Sequence, residues 1–305
     1  MNQKNTSAPQ QPSSLYMSNM ATHLFAKSMM FLAMLLPSHL VWSEQSGSDQ
    51  AREAYQQPVD PLHTNTLGMT FVEVPGTNLL WAQHETTVQA YKKFLADTQR
   101  SYHQPDFDQE PNHPAVNVSW EDAIRFCRWL TAKEIASEDI KPNQFYRLPT
   151  TQEWSRASGI KKPAQEKAIE QWHQMVQEFG NSIDDQARVV MPSDKKRVYP
   201  WGKAWPPPRR AGNYHPKLKI DPYRHTAPVG SFLPNQFGLF DMGGNVWEWN
   251  QDHFEGSDDF RTLRGGSWRM FEASAMLTNK RIGNLAHIRL PGYGFRIVLA
   301  EKQTE

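Results

Sequence analysis

The stretch FDMGGNVWEW, residues 240–249, sets two carboxylates, Asp241 and Glu248, on either side of a glycine turn. Such a turn can point backbone carbonyls inward beside the carboxylates, and a hard cation such as calcium takes roughly six to eight oxygens of this mixed kind. An Asp ahead of a glycine turn is also a plain turn former, so the motif alone leaves both roles open. A second oxygen-rich cluster lies upstream, with Asn213 in AGNY and Asp221 in KIDPYRH. Further on, LRGGSWRMFEASAM, residues 263–276, carries a Gly-Gly-Ser-Trp turn that looks like the rim of an active site. The loop after it has no cysteine, no histidine and a single carboxylate, Glu272.

Other chemistries find little support. No GxSxG occurs, and Ser267 has no histidine near it in sequence, so nothing points to a Ser-His-Asp triad. The eleven histidines are scattered without HExxH or any close pair, which disfavours zinc, and phosphate loops of the GxGxxG or GxxxxGK[ST] type are missing. A formal net charge of +1 supplies no field for nucleic acid or an anionic membrane. The one cysteine, Cys127, lies on the apolar side of a helical pattern and reads as a small buried residue; a lone cysteine also forbids an intramolecular disulfide.

The elements that must position these residues are short. Eleven tryptophans and fifteen phenylalanines beside 22 prolines and 17 glycines describe a turn-rich fold pinned by aromatic anchors. A first strand is expected in GMTFVEVPG, on Met69, Phe71 and Val74, ended by Pro75 and Gly76. A helix follows in TTVQAYKKFLADT, with Val88, Tyr91 and Leu95 on one face and Thr86 or Thr87 as its cap. Ser119 with Asp122 and Thr150 with Glu153 have capping-box spacing and open two further helices, the second stopped at Gly159. Residues 160–198 read as a polar insert, in which Ile169, Trp172, Val176 and Phe179 recur at helical spacing. From Tyr199 onward, short strands and turns take over.

The N-terminus reads as a targeting signal. Lys27 and Ser28 precede MMFLAMLLPSHLVW, an apolar run too short and too broken by Pro37 to span a bilayer, with cleavage near Ser43. Residues 1–43 are therefore expected to be a signal peptide, 44–66 a flexible linker and 67–305 the folded domain, placing the mature chain in the periplasm or outside the cell without a transmembrane anchor.

In order, the segments GMTFVEVPG, HETTVQAYKKF, HPAVNVSWEDAIRFCRWL, YRLPTTQEWSRAS, YPWG, TAPVGSFLPNQFGLFDMGGNVWEW, LRGGSW and GFRIV closely resemble the formylglycine-generating enzyme, or sulfatase-modifying factor, family. The resemblance runs from Gly68 to Ala300. It implies a single α+β domain related to the C-type lectin fold, low in regular secondary structure. It also implies two structural calcium ions. Asn213 and Asp221 would give side-chain oxygens, and Tyr214 and Tyr223 carbonyls, to one ion. Asp241 and Glu248 would give side chains, and Gly244 and Val246 carbonyls, to the other.

The family's catalytic pair does not carry over. Active members resembling this chain use two cysteines after the GGS turn to bind copper(I); here those positions hold Met270 and Ala275. A thioether is a poor stand-in for a thiolate and alanine is no ligand, so no copper is expected. The resemblance leaves three readings. The first is a non-catalytic exported regulatory or binding module with a protein or peptide partner. It is similar to the periplasmic regulators of type VI secretion that act upstream of a membrane Ser/Thr kinase, a branch that YPWGKAWPPPRRAGNY also resembles. The second is a cysteine-free periplasmic oxidase like that of pyoverdine maturation, with Glu272 and Arg281 as candidate acid and base. The third is a formylglycine-generating oxidase acting on a sulfatase cysteine.

Overall fold

The computed structural model describes residues 59–159, 188–190 and 198–302, the middle stretch by its backbone. The signal segment and the helical pattern at residues 169–179 lie outside the described residues. Two five-stranded sheets are packed with three helices. The first sheet has the order β1-β2-β3-β10-β4, built from β1 (His63–Thr64), β2 (Thr70–Glu73), β3 (Leu80–Ala82), β4 (Gln144–Arg147) and β10 (Val298–Glu301). The second has the order β5-β8-β7-β6-β9, from β5 (Arg188–Val190), β6 (Trp247–His253), β7 (Phe260–Arg264), β8 (Arg281–Leu285) and β9 (Tyr293–Phe295). Every pairing is antiparallel except β6 with β9, where Glu248 faces Gly294.

Mixed helix and sheet, with long irregular stretches, is the α+β architecture expected. The helices follow their local signals. In α1 (Val88–Asp97) the hydroxyl of Thr87, not Thr86, accepts from the Ala90 N–H at 3.2 Å. In α2 (Trp120–Ala136) and α3 (Thr151–Ala157) both capping boxes close, each acidic N3 side chain accepting from the N-cap N–H. Gly159, at φ +88°, stands just past the end of α3, where an L side chain would be strained. Val88, Tyr91 and Leu95 of α1 and Phe126, Cys127 and Leu130 of α2 bury their side chains together beneath Phe71, Trp249 and Phe295. Cys127 is buried, and burial pushes its thiol far above the reactive range.

Two expectations change. The strand in GMTFVEVPG is buried on both faces: Phe71 packs toward the helices, while Val72 and Val74 join Trp81, Trp154 and Leu239 in a second cluster. The segment expected to end as a linker at residue 66 is already part of the fold from Val59 on. His63 and Thr64 pair with Phe71 and Thr70, and the Thr66 N–H and hydroxyl both donate to the buried carboxylate of Glu134, at 2.9 and 2.6 Å. A polar sequence concealed this because its docking partner, Glu134, needs polar neighbours, not apolar ones. The insert contributes β5, whose residues 188–190 add an outer strand along β8.

Candidate functional site

Between β9 and β10 the chain crosses from one sheet to the other, and the crossing carries a buried arginine. Arg296 has no exposed surface. Its guanidinium donates to the carbonyls of Ala82, Gln83 and Phe240 at 3.0, 2.7 and 2.7 Å and to Glu248 Oε1 at 2.8 Å, while Trp154 Nε1 donates to Glu248 Oε2 at 2.8 Å. Burial alone would favour a neutral guanidinium, but Glu248, Glu85 and Asp241 outweigh it and raise its pKa. Every Arg296 nitrogen has an acceptor, and both Glu248 oxygens have donors.

Beside this pair lie two carboxylates that are not so provided. Asp241, at φ +55°, accepts from the Gly230 N–H at 2.8 Å through Oδ2, and its Oδ1 is buried without a partner. Burial pushes its carboxyl up to about 6, with Glu248 adding to the rise against Gly230 and Arg296. Glu85 is 1% exposed, neither oxygen accepts from another residue, and burial, aided by Asp241 and Glu248, holds its carboxyl well above the usual range. His84 stacks on Phe240 at 4.6 Å and stays neutral, burial and Arg296 lowering it to about 4. Gly244, at φ +89°, is required where it stands, since a Cβ there would meet the Asn213 carbonyl at 2.5 Å.

Nearby, Asp221 accepts from the N–H groups of both Tyr214 and Tyr223, at 3.1 and 2.9 Å, so all three gather around one loop. Asn213 is buried; its amide donates to the His225 carbonyl at 2.7 Å, and its Oδ1 has no partner. Among the described residues no three His, Cys, Asp or Glu side chains are grouped to hold a metal ion. A cation here would have to draw on amide and backbone oxygens as well, as calcium does. The unpartnered oxygens of Asn213, Asp241 and Glu85 fit such an ion; those of Glu248 are already engaged.

At the glycine turn the picture is different. Gly265 and Gly266 take φ +95° and +82°, and a Cβ on Gly266 would lie 3.7 Å from the Ala275 carbonyl and 3.9 Å from Met270 Cγ. The fold thus brings the two expected thiolate positions beside one glycine, where they present a thioether and a methyl group. The Trp268 N–H donates to Asn245 O and the His215 N–H to Met270 O, anchoring the loop at both sides. Phe271 is 40% exposed, with Lys217 Nζ 4.5 Å above its ring and the His215 ring 5.2 Å away. Glu272 is exposed and makes no capping bond. Arg281 is ion-paired with Glu255. Sequence reading found this rim and Glu248 but missed Glu85 and Arg296. The signal for Arg296 was a lone charge between Phe295 and Ile297 in an otherwise apolar run.

A polar cleft of about 330 Å³ lies elsewhere, lined in part by Arg100, His103, Glu121, Arg125 and Arg289. Asp122 at its wall pairs with Arg125 at 3.3 Å and Arg289 at 2.7 Å, a surface ion-pair network.

Known proteins share the arrangement. The inactive C-alpha-formylglycine-generating enzyme 2 of Bos taurus is 32% identical over 161 residues, 51% of this chain and 38% of that protein. The formylglycine-generating enzyme of Thermomonospora curvata is 32% identical over 151 residues, 47% of this chain and 34% of that protein. The chain therefore spans well under half the length of these relatives. The structure of PvdO from Pseudomonas aeruginosa matches with a TM-score of 0.53 at 18% identity, over 80% of this chain and 99% of that one, a likeness of fold. The sulfatase-modifying factor enzyme 1-like domain matches residues 43–301, and the chain belongs to that family.

Proposed function

We propose that the protein is an exported, non-catalytic member of the formylglycine-generating enzyme family that works as a binding or regulatory module, its loops tied down by two calcium ions. The observation that carries this reading is the pair Met270 and Ala275 beside Gly266. Copper(I) chemistry needs soft thiolates, and neither a thioether nor a methyl group supplies the charge. Glu272 does not replace them: it points to no paired base, since Arg281 is committed to Glu255. What remains at the rim is recognition equipment, a half-exposed Phe271 capped by Lys217, suited to a protein or peptide partner. The role we favour is regulation next to a type VI secretion kinase, on the likeness of residues 199–214.

No helix among the described residues is long and apolar enough to cross a membrane. Export is inferred from the N-terminal sequence. The calcium ions would be held by Asn213, Asp221 and the Tyr214 and Tyr223 carbonyls, and by Asp241 with the Gly244 and Val246 carbonyls. Glu248 would be the remaining ligand position implied by the family likeness. When bound, they supply positive charge to loops with few hydrogen bonds of their own; no catalytic step is assigned to them.

The test is direct. The purified chain, loaded with copper(I) and given oxygen and a peptide bearing a sulfatase-type cysteine, should leave that cysteine unoxidised. Formylglycine in the peptide would overturn the reading. A pull-down from periplasmic extract should retain one partner that Phe271→Ser loses.

A further inference from the structure

We infer that Glu85 is a ligand of the cation held by Asp241, taking the place that family likeness gives to Glu248. This rests on the calcium reading above and changes one of its ligands.

The argument is one of charge and vacancy. Around Arg296, three buried carboxylates, Glu85, Asp241 and Glu248, face a single guanidinium, which leaves two negative charges unbalanced, and His84 adds none because it is neutral. Unbalanced charge without water is among the costliest arrangements a protein interior can hold. One divalent cation cancels it. The question is which oxygens would meet the ion. Glu248 is engaged on both sides, Oε1 by Arg296 and Oε2 by Trp154 and Arg296, so binding a cation there would break a buried ion pair. Glu85 has two buried oxygens that no other residue approaches with a donor, and Asp241 has one.

The backbone sets these two carboxylates side by side. Arg296 binds the carbonyl of Gln83, two residues before Glu85, and that of Phe240, immediately before Asp241. The Phe240 N–H donates to Gln83 O at 2.9 Å, and the Thr86 N–H, just after Glu85, donates to Phe295 O at 2.9 Å. Arg296 thus acts as the template that fixes both chains, and Glu248 as its counter-ion. Two carboxylates with carbonyls of the 241–246 turn make a hard-oxygen set, the preference of calcium over softer metals.

Calcium titration calorimetry on the metal-stripped full chain separates the possibilities. The parent chain should bind two ions, and Glu85→Gln, which keeps shape and removes charge, should lose one of them or bind it at least about tenfold more weakly, because ligand charge count tunes affinity. The drop in melting temperature on adding chelator should shrink in parallel. Two ions bound by Glu85→Gln as tightly as by the parent would overturn the assignment of Glu85 while leaving the calcium reading intact. A parent chain that binds no calcium would overturn both, and would mean the carboxylates hold protons instead. Should Glu85→Gln not fold, lanthanide-soaked crystals of the parent chain decide: an anomalous peak within about 2.6 Å of a Glu85 oxygen supports the inference. A peak coordinated by Glu248, with Glu85 out of reach, sinks it.

Discussion

The Arg296 junction and the Gly265–Gly266 rim lie a few residues of β-structure apart, and they are built on opposite terms. Charge is crowded at the junction, where there is no water, and its members are held by fixed partners. The rim is open to solvent, and there the ionisable groups are either exposed, like Glu272, or paired away, like Arg281. An enzyme concentrates tuned groups where substrate arrives. Here the tuned groups sit inside, which assigns electrostatics to holding the fold and the surface to recognition.

Experiments can break that contrast. The largest effect should come from Arg296→Met, which leaves Glu248 buried and unpaired; a loss of about 3–5 kcal/mol in urea unfolding is expected. A loss below about 1 kcal/mol would show that the junction does not hold the fold together. Next, chelation of a calcium-saturated sample should remove about 3 kcal/mol if the ion stands near a hundredfold above its Kd, read as a clear fall in melting temperature. An unchanged melt would end the structural role of calcium. Trp154→Phe removes only the indole donor to Glu248 and should cost about 1.5–3 kcal/mol, the range for a hydrogen bond to a charged group.

Smaller still is Glu153→Gln. Burial tends to raise this carboxyl, but the Arg147 fork at 2.7 and 2.8 Å and the Thr150 N–H bring it below its ordinary value of 4.5. Its stabilisation is therefore present above about pH 4.5 and is lost as pH falls through the lower folded value. The substitution should cost about 1 kcal/mol at pH 7 and flatten that acid limb of the stability curve. At the bottom of the scale, Glu272→Ala should change stability by less than about 0.5 kcal/mol. A larger shift would mean that the rim carries structural charge after all.

How legible each region was follows from how local its causes are. The capping boxes of α2 and α3 were readable because Ser119 and Asp122, or Thr150 and Glu153, lie three residues apart and bond to each other. The rim was readable because the positions of Met270 and Ala275 are fixed by a glycine turn next to them. The junction was not: Glu85 and Arg296 are far apart in sequence, and neither shows a spacing that announces the other. Thr66 escaped notice for the same reason, since its partner Glu134 lies 68 residues on.

The position of β10 has its own consequence. It forms the middle of the first sheet, pairing β3 on one side and β4 on the other, through Val298 with Trp81 and Arg147. Strands β1 to β4 emerge from the ribosome long before it, so half a sheet waits with an open edge for its central member. Such distant pairings make folding slow and leave the nascent chain unable to lock early. A chain that closes last at its centre stays unfolded long enough to be threaded, and any truncation before residue 298 should leave β4 with no strand to join.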